Sequence, residues 1–147
     1  MKRVLLVSFD LVRTGEASPP LSIASLLAYL KSDRRYGVEF SVEHLGINLL
    51  MGEKEPPSLE AVEQRICELG LDNLDVIAIS CYVWAEYLVN PLLSRLRRHG
   101  YRRRIVLGGY QISYADKDAL GSLYPACDIF VVGYAERSLL AAIFCNQ

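Results

Sequence analysis

Residues that suit a flat ligand follow the short apolar runs of this 147-residue chain. Nine tyrosines stand against four phenylalanines and one tryptophan. Aromatic rings stack on planar groups, and glycine lets a ligand approach the backbone closely. The aromatic, glycine and polar members of this set are Tyr82, Trp84, Tyr110, Tyr134, Gly15, Gly108, Gly109, Gly133, Ser80, Gln111 and Ser113. They predict a broad receptacle for a planar ligand, or else a protein interface, because Tyr and Trp are enriched in both.

Other kinds of site have less support in the sequence. The four cysteines are too far apart to form CxxC or CxxxCxxC motifs, so we expect no iron–sulfur cluster and no protein-bound metal. Neither GxGxxG nor GxxxxGK followed by Ser or Thr is present, which argues against dinucleotide and P-loop sites. Thr14, Gly15 and Ser18 form one short segment of the kind that cradles an FMN phosphate. His44 and His99 are expected far from the ligand loops, and no catalytic triad is predicted.

Five strands are predicted to position these residues. Val4–Phe9, Val76–Ser80, Ile105–Gly109 and Ile129–Gly133 are apolar runs typical of strands that are covered on both faces of a parallel sheet. Gly37–Glu43 instead alternates apolar and polar residues, which indicates an edge strand.

Helical patterns fill the intervals between the strands. Ser18-Pro19-Pro20 and Asn90-Pro91 predict capped helix starts, and further helices are expected over residues 58–69, 116–123 and 136–144. The alternation predicts one α/β domain spanning residues 1–147, with a doubly wound, flavodoxin-like, five-stranded parallel sheet of order 2-1-3-4-5. Such sheets bind ligands at the carboxyl ends of their strands, where the aromatic residues lie.

Charge and hydropathy narrow the choice of partners. The net charge of −1 gives no overall attraction to nucleic acid or to an anionic membrane. A basic cluster between Arg95 and Arg104 is interpreted as a solvated face that offsets a helix dipole, with a docking patch for an acidic partner as the alternative. No apolar run reaches the ~18 residues of a membrane span, and Asp10 interrupts the N-terminal run too early for a signal peptide. We therefore expect a cytoplasmic protein.

In their order and spacing, the loops resemble the cobalamin-binding domain at the N-terminus of cobalamin-dependent radical SAM enzymes. The resemblance covers nearly the whole chain, and its residues are Ser18-Pro19-Pro20-Leu21, Asp75 to Ser80, Val106-Leu107-Gly108-Gly109 with Ser113, and Asp128 to Glu136. It implies cobalamin as cofactor and a radical SAM catalytic domain, or a separate enzyme subunit, as partner.

The resemblance also implies how the cofactor would be held. Many cobalamin domains supply a histidine to cobalt from an Asp-x-His-x-x-Gly motif, and here Asp10 to Gly15 fits that pattern with Val12 in the histidine position. A corrinoid would then lack a protein histidine ligand. The family often has His at the position of Gln111 and Gly-Glu-Gly-Glu at Gly133 to Glu136, where this chain differs. The implied binding residues are Asp10, Thr14, Gly15, Ser18, Ser80, Tyr82, Trp84, Gly108, Gly109, Tyr110, Gln111, Ser113, Gly133, Tyr134 and Glu136.

Specific roles follow from the same resemblance. Ser80 and the Gly108-Gly109 pair would lie beside the nucleotide tail, and Tyr82, Trp84 and Tyr110 would face the corrin ring. Gln111 and Ser113 would bind the peripheral amides.

Without a CxxxCxxC loop, the chain by itself is not expected to cleave S-adenosylmethionine. It is then either an excised domain or a free-standing module.

Two alternatives remain open. One is an interaction protein of the same fold, in which Tyr134 and Trp84 fill the pocket and the aromatic surface docks a partner enzyme or a second copy. The other is a flavin- or nucleotide-binding module.

Overall fold

A computed structural model describes residues 1–50 and 55–145 as a five-stranded parallel sheet with helices on both faces. The strands are β1 (Lys2–Asp10), β2 (Phe40–Asn48), β3 (Val76–Ser80), β4 (Arg104–Gly108) and β5 (Ile129–Phe130). The helices are α1 (Leu21–Ser32), α2 (Leu59–Glu68), α3 (Glu86–Arg98), α4 (Tyr110–Tyr114), α5 (Leu120–Leu123) and α6 (Ala135–Phe144). The strand order is β2-β1-β3-β4-β5, which confirms the predicted flavodoxin-like α/β fold.

Two apolar cores flank the sheet because successive side chains of a strand point to opposite faces. In β1, Leu5, Val7 and Phe9 pack on the core beneath α2 and α3, whereas Val4 and Leu6 pack on the core beneath α1 and α6. The continuous apolar runs of the central strands are explained by this burial on both sides. Across residues 1–50 and 55–145, none of the helices has the length and apolar character that a membrane crossing requires.

The edge strand β2 is longer than its alternating pattern predicts, and it begins later, at Phe40 instead of Gly37. The pattern ends at Glu43, but β2 pairs with β1 as far as Asp10 and Asn48. Ile47 is fully buried beneath this extension, so burial and pairing with β1 continue the strand after the alternation has ended. The connection expected over residues 46–57 is therefore partly strand, and its residues 51–54 lie outside the described residues.

Two predicted helix starts are wrong. Helix α3 begins at Glu86, four residues before Asn90-Pro91, because the turn at Ala85 already accepts hydrogen bonds from the N–H groups of Leu88 and Val89. Pro91 lies within the helix and leaves the carbonyl of exposed Tyr87 without its helical donor. Helix α1 begins after Pro20, and no side chain caps it, so Ser18 is not its cap.

The chain after β4 also differs from the prediction. Residues 110–114 were expected to be loop, but they form α4, and the helix expected over residues 116–123 is confined to α5. Strand β5 is two residues long, although the N–H of Val131 still donates to the carbonyl of Leu107. Of these differences, α4 is the one that places helical backbone directly after β4.

The basic cluster is held within the fold rather than solvated throughout. Arg95 donates to Glu60 and Glu63, which lowers the pKa of Glu63 below its ordinary range. Arg97 pairs with Asp128. Arg104 is buried and donates to carbonyls at the end of α6, including that of Ala142 at 2.6 Å. Three arginines, Arg95, Arg97 and Arg98, lie in the last turn of α3, as the dipole interpretation predicts, whereas Arg104 serves the end of α6.

The turn between β4 and α4 requires glycine at position 109. Its φ is +102°, and a β-carbon there would lie 2.7 Å from the carbonyl oxygen of Cys81. The N–H of Cys81 donates to the carbonyl of Gly108, and the N–H of Gln111 donates to the carbonyl of Cys81. These bonds hold the loop after β3 against the turn after β4.

We expect Gly109→Ala to lower the free energy of unfolding by about 1–3 kcal/mol through backbone strain and the clash at Cys81. Urea denaturation followed by circular dichroism measures this change. Gly121→Ala is the matched control because its β-carbon would meet open space within α5, and we expect it to be neutral or slightly stabilising. Equal stability of the Gly109→Ala protein and the parent would contradict this account.

Candidate functional site

A cavity of about 780 Å³ lies at the carboxyl ends of the central strands, between the sheet and helices α1 and α6. Its floor is made of aliphatic side chains from both layers: Leu6, Ala78, Val106 and Val131 from the sheet, and Ile23, Leu26 and Leu139 from the helices. This position agrees with the general rule for ligand sites in open parallel sheets. The volume is in the range of small-molecule sites.

Small residues on both layers make room for the cavity. Ala78 and Gly108 face it from the sheet, and Ser22, Ser25 and Ala135 face it from the helices. A β-carbon at Gly108 would approach Val131 to only 3.4 Å, an ordinary contact. Gly108 therefore leaves space above the sheet, whereas Gly109 is required by the turn.

The polar side chains of the cavity lie on the helices around it and at the end of β3. The Ser113 hydroxyl donates to the carbonyl of Gly109 at 2.9 Å and accepts the N–H of Gly133 at 3.0 Å, so it is committed to holding α4 against the turn after β5. Within the described part of the chain, neither the Ser80 hydroxyl nor the Glu136 carboxylate makes a side-chain hydrogen bond to another residue. Among the described lining residues, Glu136 is the single charged side chain.

An aromatic rim, formed by Tyr82, Trp84, Tyr110, Tyr114 and Tyr134, borders the mouth. The rings of Tyr82 and Trp84 are stacked, with centroids 4.7 Å apart and planes 3° apart. The Trp84 indole N–H donates to the carbonyl of Phe9 at 2.9 Å, which ties this stack to the end of β1. Tyr110 and Tyr114 form a second pair with centroids 4.2 Å apart. The rim thus has fixed rings at the edge where a ligand would enter.

Tyr134 and Trp84 do not fill the cavity in the way that the interaction-protein alternative requires. The Tyr134 side chain is 93% exposed. Trp84 lies outside the lining, held by its bond to Phe9.

The structure brings many of the candidate residues together. Those that line the cavity are Ser80, Tyr82, Gly108, Gly109, Tyr110, Ser113, Gly133, Tyr134 and Glu136. Those outside its lining are Asp10, Thr14, Gly15, Ser18, Trp84 and Gln111. Thr14, Gly15 and Ser18 lie in an exposed loop after β1, and Asp10 is buried within the sheet.

Sequence reasoning missed the contribution of α1. Leu21, Ser22, Ser25 and Leu26 line the cavity from this helix. A signal was present, because Ser22 and Ser25 are three residues apart and therefore share one face of an otherwise aliphatic helix. A small, polar face on a helix that covers a sheet indicates space beneath it.

A second group of polar side chains lies beneath the same face, in β1 and β2. The Ser8 hydroxyl lies 2.8 Å from Nε2 of His44 and 3.1 Å from Oδ2 of Asp10. Ser8 is 1% exposed and Asp10 is 5% exposed. Burial raises the pKa of Asp10 and lowers the pKa of His44. His44 was expected to lie apart from the ligand-end residues, but Ser8 connects it to Asp10.

Asn48 fixes the loop that follows β1. Its side-chain oxygen accepts the N–H of Val12 at 3.0 Å, and its side-chain nitrogen donates to the carbonyl of Val12 at 2.8 Å. The two bonds hold the Val12 backbone against the end of β2.

In residues 1–50 and 55–145 there is no group of three or more His, Cys, Asp or Glu side chains arranged to hold a metal ion.

No protein-family model matches this chain, and no curated protein matches it in sequence. The interpretation of the site therefore depends on the cavity and the aromatic rim.

The lowered pKa of His44 makes stability depend on pH in a defined direction. In the unfolded chain His44 takes up a proton near its ordinary pKa of ~6.5, whereas the folded protein resists protonation because the ring is partly buried. This group therefore destabilises the folded protein as the pH falls below about 6.5. Asp10, whose pKa is raised, acts in the opposite direction because the folded protein holds that proton more readily.

We expect His44→Gln to reduce the loss of stability between pH 7.5 and pH 5.5 relative to the parent protein. Urea midpoints at the two pH values measure this difference. His99→Gln serves as the comparison, because the His99 ring pairs with Glu63 at the end of α3 and its loss is not expected to relieve a destabilisation at low pH. An unchanged slope in the His44→Gln protein would show that this ring is as accessible to protons in the folded state as in the unfolded state.

Proposed function

We propose that this domain binds a corrinoid, with the nucleotide tail in the cavity and the macrocycle against the aromatic rim. The observation on which this proposal rests is the position of an apolar cavity directly beside exposed, fixed aromatic rings at the ligand end of the sheet. A ligand with both a flat body and a tail suits this combination. The domain would hold the cofactor for a radical SAM catalytic domain or a separate enzyme subunit.

The residues present fit such a cofactor. The aliphatic floor suits the aromatic base of the tail, and the hydroxyl of Ser80, buried at the end of β3, is available to a polar atom of the tail. Gly108 leaves space for the tail to pass along β4. When bound, the cofactor supplies cobalt-centred chemistry.

The surroundings of Val12 favour a corrinoid without a protein histidine ligand. The Val12 side chain is aliphatic, and Asn48 fixes its backbone. His44, the one histidine near this end of β1, has its Nε2 engaged with Ser8.

Flavin and nucleotide ligands are less well supported by the charges of the site. The described lining contains no lysine or arginine, so Glu136 would repel the doubly charged terminal phosphate of FMN more strongly than the singly charged phosphodiester of a corrinoid tail. Thr14 and Gly15, the proposed phosphate cradle, lie outside the cavity.

An interaction protein is the second candidate, because the exposed rim also suits a protein partner or a second copy. Sedimentation at micromolar concentration separates the two candidates. A concentration-dependent dimer that is abolished by Tyr134→Ser, in a protein that takes up no corrinoid, would favour this second function.

Corrinoid binding is tested by titrating the purified protein with hydroxocobalamin. We expect a shift in the visible spectrum and co-elution of colour with protein on a sizing column. Clean separation of protein from colour would refute the proposal.

The location of the tail is tested by a pair of variants on α1. Ser25 lines the cavity, whereas Ala28 is exposed one turn later and does not. We expect Ser25→Trp to weaken binding at least about tenfold by occupying tail space, and Ala28→Trp to bind like the parent. Equal affinities of the two variants would place the tail elsewhere.

A further inference from the structure

We propose that the free edge of the sheet binds the same edge of a second copy of this chain, with the two β2 strands paired antiparallel about a twofold axis at His44. The features that support this pairing are a row of unpaired backbone groups along β2 and the self-complementary spacing of that row. The pairing goes beyond corrinoid binding and does not depend on what the cavity holds.

Alternate residues of β2 direct their backbone groups away from β1. The N–H of Lys2 donates to the carbonyl of Glu39, and the N–H of Leu49 donates to the carbonyl of Asp10. Because the two strands are parallel and keep one register, these bonds identify the odd-numbered residues of β2 as the partners of β1. The even-numbered residues therefore present their N–H and carbonyl groups to the free edge.

Three of the outward-facing residues carry the row of unpaired groups. Phe40 is bonded within the preceding turn, and Asn48 ends the strand. Within residues 1–50 and 55–145, the backbone groups of Val42, His44 and Gly46 take part in no hydrogen bond on that side. Such a row of alternating donors and acceptors is complementary to another extended strand.

The sequence of β2 does little to protect this edge. Free edges are commonly blunted by proline, lysine, a bulge or a short strand. Strand β2 is nine residues long, contains neither proline nor lysine, and pairs with β1 without a break in register. Glu43 is its single acidic side chain, and Arg3 of the same chain lies 3.8 Å from it. The opposite edge, β5, is only two residues long and offers little to pair with.

A second copy satisfies the whole row. With the twofold axis at His44, Val42 lies opposite Gly46 of the second copy, and His44 lies opposite its own equivalent. Each facing pair exchanges two hydrogen bonds, so the three pairs use all the N–H and carbonyl groups that the three residues of both copies present. An axis at Glu43 or Leu45 would leave Gly46 or Val42 without a partner in the row. The spacing therefore favours one register.

The side chains around this axis are compatible with pairing. An axis perpendicular to the sheet keeps the α1 and α6 layers of both copies on one face. Val42 meets Gly46, which has no side chain, so the larger residue lies across from the smaller one. Glu43 lies opposite Leu45, and its own Arg3 offsets its charge.

The oligomeric state of the whole chain is the first test. We expect sedimentation velocity to show monomer at about 1 µM and an increasing dimer fraction toward about 200 µM. Tyr134→Ser should leave this dimer intact, because Tyr134 lies at the aromatic rim and not on β2. A monomer throughout that range, or a dimer abolished by Tyr134→Ser, would overturn the proposed pairing.

Two substitutions at one position test the backbone pairing. Val42→Ala and Val42→Pro both lose the valine side chain, but only proline also removes the outward N–H. We expect Val42→Pro to weaken dimerisation at least about tenfold and Val42→Ala to dimerise like the parent. Circular dichroism shows whether both variants are folded. Equal dimerisation of the two folded variants would contradict pairing through β2.

Two double-cysteine variants test the register and need no proline. Glu43→Cys with Leu45→Cys places thiols directly opposite each other across the axis, whereas Ser41→Cys with Glu43→Cys does not. We expect mild oxidation to link the first variant into a covalent dimer on a non-reducing gel, and the second to stay at the level of the parent. Linking of the second variant instead, or of neither, would overturn the axis at His44.

Discussion

The burial of the central strands on both faces is the constraint on which the rest of this structure depends. Residues of β1, β3 and β4 satisfy their backbone groups by parallel pairing, and their side chains fill two cores. A polar group in the middle of such a sheet would be costly to desolvate. The groups able to recognise a ligand are consequently concentrated at the strand ends, where Ser80 and Tyr82 follow β3 and Tyr110 follows β4.

The cavity arises where this double burial is incomplete. On the face beneath α2 and α3, large side chains such as Phe9 and Ile79 close the core. On the opposite face, Ala78 and Gly108 are small, and the overlying helices contribute serines at the mouth. Interiors pack to high density, so a space of this size at a strand end is a specific feature of the sequence. If larger side chains on the helices packed against these small residues, no cavity would form there.

Much of the fold could be predicted from the sequence because its strongest signals are local. The runs Val4–Phe9 and Val76–Ser80 are uninterrupted and lie within or coincide with β1 and β3. Predictions failed where tertiary contacts overrode a local signal: pairing with β1 extends β2 to Asn48, and the turn at Ala85 starts α3 ahead of Pro91. Short-range patterns contain no information on either contact.

The site was predicted less completely, for a related reason. Loop residues at strand ends follow from topology, which is why Ser80, Gly108 and Tyr134 were placed correctly at one edge. The contribution of α1 depends on how closely a helix approaches the sheet, and this distance is set by side-chain volumes on both layers. A further role of Gly109 could not be predicted, because the Cys81 backbone that a β-carbon there would meet belongs to a loop distant in sequence.

The fixed rim and the apolar cavity make sense as parts of one site. The Trp84 indole is held by Phe9 and stacked on Tyr82, so these rings lose little conformational freedom when a partner binds. A protein partner would use the rim but would gain nothing from an aliphatic cavity unless it inserted a side chain. A small apolar ligand would use the cavity but would leave the rim exposed. A planar molecule whose tail ends in an apolar ring uses both surfaces.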